Sequence, residues 1–222
     1  MANFGTHISV AAGSGCVLAL GGWHFGLWTP WQAGPLMLLT TLGGILPDID
    51  SDHSYSVRLV FSLLAFMAAA AGAWTLQSQL AFGHWLLVCA GIYIGVRYLL
   101  APAFKRFSVH RGIWHSLLAA IFFAWAGSAL SYGVLGQPPE LAWIQGLALL
   151  VGCLVHLTLD ELYSVDLEGG RLKRSFGTAL KLFDYDRPLR AVALVLLMLA
   201  MLPWLPSWSS LLAVWEQWLA IW

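Results

Sequence analysis

The chain has 222 residues, of which 59% are hydrophobic and only 10% are charged. A soluble domain carries roughly 25% charged residues, so this composition excludes a water-soluble globular protein and indicates that lipid surrounds much of the chain. The 11 basic and 11 acidic residues cancel, which excludes a general attraction for nucleic acid. The single cysteines Cys16, Cys89 and Cys153 predict no disulfide framework.

Seven apolar stretches come close to the roughly 20 residues that a helix needs to cross a bilayer. The first stretch lacks the basic opening of a removable secretory signal, so we interpret it as a retained span. The predicted fold class is all-α, a polytopic membrane helix bundle of about seven transmembrane helices that forms a single integral membrane domain over residues 1–222. The predicted spans are 6–27, 31–47, 57–76, 80–101, 113–133, 141–160 and 188–205.

The basic residues predict the orientation of this bundle. With seven spans, all 11 Lys and Arg residues fall on the side of the N-terminus, which the positive-inside rule makes cytoplasmic. Tryptophans gather towards the opposite side, where an aromatic belt is expected. Segment 161–187 is then a cytoplasmic flap or hairpin. Segment 206–222 is predicted as an amphipathic helix in the outer interface, with an eighth span as the alternative.

Histidines and acidic residues collect at the cytoplasmic ends of the predicted spans. His156 and Asp160 are four residues apart on one helix and therefore share a face. An imidazole and a carboxylate on one face commonly hold a divalent metal ion. Ionisable groups are costly in a membrane domain, so their accumulation here predicts a functional site. The residues that this pattern brings to one depth are His7, Asp48, Asp50, Asp52, His110, Arg111, His115, His156 and Asp160.

Four short motifs, in this order, resemble the YdjM-like family. They are Thr6-His7, Leu46-Pro47-Asp48-Ile49-Asp50, His110-Arg111-Gly112 followed by His115-Ser116, and the late pair His156 and Asp160. Members of this family are described as LexA-regulated, membrane-bound, metal-dependent hydrolases of bacteria. The resemblance implies a protein of the bacterial inner membrane.

The resemblance and the residue types together imply a mechanism. One or two divalent ions, Zn or Mn, would be held by His7, Asp48, Asp50, His110, His115, His156 and Asp160. A bound metal makes water a nucleophile near neutral pH. Arg111 would clamp a phosphate, and Asp52 or His53 would act as acid or base. We therefore expect hydrolysis of a phosphate ester in a lipid or lipid-linked substrate.

Two other functions fit the same residues. Intramembrane Asp and His also line ion paths, which makes a divalent cation transporter the first alternative. The second alternative is a non-catalytic membrane protein in which the metal only stabilises the helix bundle. The sequence gives no indication of the oligomeric state.

Overall fold

The computed structural model describes residues 3–50, 55–103, 112–166, 171–172, 177 and 180–221. The backbone groups into two compact units. Unit 1 combines residues 1–47 with residues 113–222, and unit 2 is residues 48–112. Helices dominate both units, which agrees with the predicted all-α class.

Unit 1 is built around one long helix. In an apolar stretch of 18 residues within the helix Pro139–Leu162, 56% of the residues are buried, against 22% in such a stretch of the helix Phe4–His24. The long helix therefore occupies the centre, and Phe4–His24, Pro30–Gly43, Leu117–Gly133 and Trp208–Leu219 pack on it. Helix Pro188–Ala200 packs instead on Leu117–Gly133. In chain order, the helices of unit 1 are α1 (Phe4–His24), α2 (Pro30–Gly43), α5 (Leu117–Gly133), α6 (Pro139–Leu162), α7 (Pro188–Ala200) and α8 (Trp208–Leu219).

Glycines let α2 and α6 approach until their backbones touch. A Cβ atom on Gly152 would lie 2.0 Å from the carbonyl oxygen of Thr40, and one on Gly43 would lie 2.2 Å from that of Leu149. Only glycine fits at such a crossing, and small residues commonly provide this close packing in membrane helices. The end of α2 is thereby held against the second half of α6.

Helix α8 packs on the first half of α6. The indole Nε1 of Trp143 donates a 3.0 Å hydrogen bond to the carbonyl oxygen of Ser207, just before α8. Val214 on α8 is buried, whereas Trp215 is 63% exposed. The helix predicted within 206–222 is therefore present, and its place in the outer interface stays a prediction.

A two-residue antiparallel ladder lies within the predicted flap 161–187. It pairs β1 (Val165–Asp166) with β2 (Arg171–Leu172), in the register Val165 to Leu172. This ladder is the only strand pairing in the part of the chain that the structure describes. The cytoplasmic location of the flap stays a prediction.

Unit 2 contains a pair of long apolar helices, α3 (Tyr55–Leu76) and α4 (Phe82–Ile94). Helix α4 continues into a π-helical turn, Gly95–Leu100. Trp85 Nε1 donates a 2.9 Å hydrogen bond to the carbonyl oxygen of Ala73. Arg97 Nε in the π-helical turn donates to Ser62 Oγ at 2.9 Å, so a neutral hydroxyl links the cation to α3.

Among the residues that the structure describes, four helices, rather than the seven predicted, have the length and composition of a membrane span. They are Phe4–His24, Val57–Leu76, Phe82–Ala103 and Pro139–Leu162. Helices α5 and α7 are apolar but shorter, and α2 has 14 residues. At 1.5 Å per residue α2 is about 21 Å long, less than the roughly 30 Å of a hydrocarbon core. The prediction of seven full-length spanning helices is therefore corrected to a helical membrane bundle with four candidate spans.

The boundaries of the three short helices lie at residues that interrupt or cap a helix, although the residues just outside these boundaries are still apolar. Helix α2 ends at Gly43, and a 3₁₀ turn, Leu46–Asp50, follows. Helix α5 begins at Leu117 because Ser116 caps it. Helix α7 ends at Ala200, close to Pro203. Apolar loop residues at these ends lengthened the predicted spans.

Candidate metal centre

His7 is fixed by the first turn of α1. The side chain of Asn3 caps this helix, accepting hydrogen bonds from the Thr6 backbone N–H at 2.8 Å and from the Thr6 hydroxyl at 2.9 Å. Such a cap satisfies N–H groups that have no partner within the helix. His7 then lies on the same face as the buried residues Ala11 and Gly15, and it is 2% exposed. The Thr-His pair thus combines the residue that donates to the Asn3 cap with a buried imidazole.

His115 lies two residues before α5, in a turn that hydrogen bonds hold on both sides. Ser116 Oγ accepts a hydrogen bond from the Ala119 N–H at 3.2 Å and donates one to the carbonyl oxygen of Ile113 at 2.5 Å. The first two N–H groups of α5, those of Leu117 and Leu118, donate to the carbonyl oxygens of Lys181 and Leu182, each at 3.0 Å. These hydrogen bonds hold His115, which is 1% exposed, in the turn at the start of α5.

His156 and Asp160 share the inner face of α6, and both are completely buried. His156 Nδ1 lies 2.8 Å from the carbonyl oxygen of Gly44. A carbonyl oxygen can only accept, so Nδ1 donates, and in the neutral ring Nε2 keeps its lone pair. Metal-binding histidines are typically oriented by this kind of bond to a backbone carbonyl.

The glycine contacts between α2 and α6 bring Gly44 to His156. Gly44 itself leaves no room for a side chain, because its Cβ would lie 2.3 Å from the Cβ of Ala11. Its carbonyl therefore reaches His156 only while α1, α2 and α6 stay in close contact. Sequence analysis missed Gly44, although the pair Gly43-Gly44 stands immediately before the Ile-Leu-Pro-Asp segment.

Three imidazoles surround the carboxylate of Asp160. His7 Nε2 lies 3.2 Å from Asp160 Oδ1, and the Nε2 atoms of His115 and His156 each lie 3.9 Å from Asp160 Oδ2. The ligand atoms of His7, His156 and Asp160 all lie within 4.8 Å of one another. With metal–ligand bonds of about 2.0–2.2 Å, neighbouring ligands around one ion are roughly 3.0–3.5 Å apart. The side chains of His7, His115, His156 and Asp160, which we call the cluster, are therefore close to the spacing that a single cation requires.

The electrostatics of these four residues also fit a divalent cation. A buried carboxylate is costly unless it is paired and hydrogen-bonded. Within the described residues, neither oxygen of Asp160 accepts a hydrogen bond of ordinary geometry. The rings of His7 and His156 are stacked with centroids 3.8 Å apart, which disfavours a positive charge on both. Neutral imidazoles and one carboxylate form a mixed N and O donor set, which suits zinc or manganese.

The structure brings together four of the seven predicted metal ligands: His7, His115, His156 and Asp160. Asp48, half-buried in the 3₁₀ turn, is the first residue of unit 2. The side chain of Asp50 and all of His110, Arg111, Asp52 and His53 lie outside the described residues. For these residues the assignments stay predictions.

Unit 1 contains three large cavities whose linings do not include the cluster residues. Their walls are apolar and come from α1 and α8, from α6 and α8, and from α5 and α7.

Comparison with known proteins identifies the family. The family model described as YdjM inner membrane protein matches residues 1–204, which is most of the chain. No curated protein and no solved structure matched the chain. The chain therefore belongs to the YdjM inner membrane protein family, as its motifs predicted.

Proposed function

We propose that this member of the YdjM inner membrane protein family is a membrane-embedded, metal-dependent hydrolase. Its substrate would be a phosphate ester in a lipid or lipid-linked molecule. The observation that carries the proposal is the convergence of three imidazoles on the buried carboxylate of Asp160. Three histidines and one carboxylate from three segments of the chain form a donor set that hydrolytic metal sites use.

Each residue has a defined part in this proposal. His7, His115 and His156 would hold one divalent ion, and Asp160 would balance its charge. The bond from His156 Nδ1 to the Gly44 carbonyl keeps Nε2 aimed at the same point. When bound, a divalent metal supplies Lewis-acid activation of water and of a phosphoryl oxygen.

The other residues predicted from the sequence have further roles in this proposal. Arg111 would bind the phosphate, since its planar guanidinium matches two phosphate oxygens. Asp52 or His53 would exchange protons with water and the leaving group. Asp48, Asp50 and His110 would extend the ligand set, to a second ion if two are bound.

The position of the cluster bears on the two alternatives. His7 is the fourth residue of α1, and Asp160 lies in the last turn of α6. A transporter typically binds its ion near the bilayer midplane, so this placement at helix ends favours an enzyme over a cation transporter. The burial of the cluster favours a second candidate, a metal that only holds the helices of unit 1 together.

Purified protein distinguishes the enzyme from the structural candidate. We expect chelation to abolish hydrolysis of a phosphodiester lipid in detergent micelles, and Zn or Mn to restore it. The variant Asp160→Ala should stay inactive after the metal is added back. If metal removal and Asp160→Ala both leave turnover unchanged, the hydrolase proposal is wrong. If they destabilise a protein that hydrolyses no phosphodiester, the structural candidate is correct.

We further propose that the end of unit 1 that carries the cluster faces the cytoplasm. Lys181 lies at this end, where its carbonyl oxygen accepts a hydrogen bond from the start of α5. Arg187 and Arg190 lie at the start of α7. At the other end, Glu140 lies in the first turn of α6. Basic residues gathered at one end of a membrane bundle are the pattern of the positive-inside rule, to which acidic residues contribute little.

Cysteine labelling in intact cells tests this orientation. The three native cysteines would first be replaced by alanine, and single cysteines placed at the exposed positions Leu135 and Asp186. We expect an impermeant maleimide to label position 135 in intact cells, and position 186 only after the membrane is broken. The reverse pattern would show that the cluster faces the periplasm.

A further inference from the structure

An apolar groove runs along α1 on the side that faces α8. Its volume is about 670 Å³, and its wall on α1 extends from Val10 to Phe25. Trp218 and Ile221 line it from the C-terminal segment. Val17 lines the groove and is 75% exposed, so the groove opens to the surroundings of unit 1.

Small residues of α1 create this space. Gly13 and Gly21 both line the groove, and a Cβ atom built on either would meet no atom within 4 Å. The opposite face of α1 behaves differently, because a Cβ on Gly15 would lie 2.8 Å from the carbonyl oxygen of Met37. Gly13 and Gly21 are therefore not required for helix packing, and their missing side chains leave this space open, whereas Gly22, which also lines the groove, packs against Trp28.

The location of the groove determines what can fill it. Helix α1 is one of the four candidate membrane spans, so hydrocarbon chains of the bilayer surround its exposed face. The groove wall covers 15 helical steps, from residue 10 to residue 25, or about 22 Å. One leaflet contributes roughly half of a hydrocarbon core of about 30 Å. The groove is therefore long enough for a lipid acyl chain that spans one leaflet.

One end of the groove lies beside the cluster. Val10 is three residues after His7, so a single turn of α1 separates the groove wall from a predicted metal ligand. A lipid chain in the groove can thus have its polar end at the level of the three imidazoles. Of the other two cavities, the one between α6 and α8 has no lining residue this near to a cluster residue, whereas the one between α5 and α7 is lined by Leu117, two residues after His115.

We propose that this groove binds the acyl chain of the lipid substrate and directs its phosphate towards the His7 end of α1. The inference rests on the proposed function and names the substrate class, a phosphate ester that carries at least one long acyl chain. Walls on several sides give the chain more van der Waals contacts than a flat helix surface would. A second copy of this protein is the competing occupant.

The variant Gly13→Leu tests the groove because it fills the space without a clash. Leucine is also a better helix former than glycine, so the variant should fold. The matched control is Gly91→Leu on α4, where a Cβ atom also meets nothing within 4 Å. Metal content and elution volume in detergent should be the same for both variants and for the unmodified protein.

Two measurements separate this inference from the proposed function. The first is hydrolysis of a long-chain phosphodiester lipid and of a water-soluble aryl phosphodiester. We expect Gly13→Leu to lower long-chain turnover by about tenfold, and aryl phosphodiester turnover by less than about twofold. If Gly13→Leu leaves long-chain turnover unchanged, or lowers both activities equally, the groove does not bind the substrate chain.

The second measurement does not depend on activity. A phospholipid with a photoreactive group near the end of its acyl chain should label peptides of α1, and Gly13→Leu should remove this labelling while Gly91→Leu retains it. Absence of labelling on α1 in the unmodified protein would overturn the groove inference. So would a dimer that only Gly13→Leu dissociates, because a second copy would then fill the groove. If the unmodified protein labels on α1 but hydrolyses neither substrate, the proposed function fails and the chain-binding groove stands.

Discussion

Replacing Asp160 with asparagine should remove the divalent metal from the purified protein. The substitution keeps the shape of the side chain but removes the charge that balances the cation. Loss of a residue that only orients a ligand costs roughly 10–100-fold in metal affinity, so loss of this central ligand should cost more than about 100-fold. Elemental analysis of protein purified without chelator measures the effect directly.

Thermal unfolding gives an independent measurement of the same substitution. A metal ion at 100 times its dissociation constant stabilises the folded state by about 2.7 kcal/mol. Chelation should therefore lower the melting temperature of the unmodified protein and leave that of Asp160→Asn unchanged. The apo form of Asp160→Asn should be at least as stable as unmodified apo protein, because the variant buries no uncompensated charge.

Glu140→Gln is the matched control for this experiment. It makes the same kind of change on the same helix, at the end away from the cluster. Its metal content and its response to chelator should equal those of the unmodified protein. Full metal occupancy in Asp160→Asn would contradict the assignment of Asp160 as a ligand.

The sequence predicted which side chains lie close together better than it predicted where the helices end. His7, His115, His156 and Asp160 could be identified because ionisable residues are costly in a membrane domain and recur at apolar segment ends. Their convergence then required only that the ends of successive helices lie at one depth. The structure brings these four side chains together within unit 1.

Helix boundaries could not be obtained from hydropathy in the same way. Hydropathy records which residues prefer lipid, whereas a helix ends where its backbone N–H and C=O groups find other partners. Ile113 is apolar and buried, yet it precedes the serine cap of α5 and belongs to the turn that holds His115. The predicted span 113–133 therefore included site residues that are not helical.

The hydrogen bond from His156 Nδ1 to the Gly44 carbonyl oxygen also could not be predicted from the sequence. A backbone carbonyl has no residue type, so nothing in the sequence marks it as a partner for His156. The signal was indirect and lay in the glycines at residues 43, 44 and 152. Each of them would place a Cβ atom within 2.3 Å of another segment. A pattern of small residues predicts a close helix crossing but does not say which carbonyl the crossing delivers.

Gly152→Ala should weaken both the fold and the metal site. The new methyl group would lie 2.0 Å from the Thr40 carbonyl oxygen and 2.7 Å from the Gly44 backbone nitrogen. Both contacts are with backbone, so α2 must move away from α6. Overpacking of this kind typically costs 1–3 kcal/mol, and we expect an unfolding free energy lower by about that amount. Denaturant titration in mixed micelles measures it.

Gly91→Ala is the control for the substitution itself. No atom lies within 4 Å of the added methyl group, and alanine is favoured over glycine in a helix by up to about 1 kcal/mol. The same change should thus stabilise α4 or leave its stability unchanged, while it destabilises the crossing at Gly152. A Gly152→Ala variant as stable as Gly91→Ala would show that the backbones are farther apart than the structure places them.

Metal affinity shows whether the crossing also orients His156. Separation of α2 from α6 would move the Gly44 carbonyl away from His156 Nδ1, and loss of such a partner typically lowers metal affinity by 10–100-fold. Gly146→Ala supplies the comparison, because its methyl group would lie 2.4 Å from the Ala124 carbonyl oxygen at the contact of α5 with α6. Gly146→Ala should be destabilised similarly but keep its metal affinity. Equal affinity losses in both variants would mean that the site responds only to overall stability, and that the Gly44 bond has no separate role.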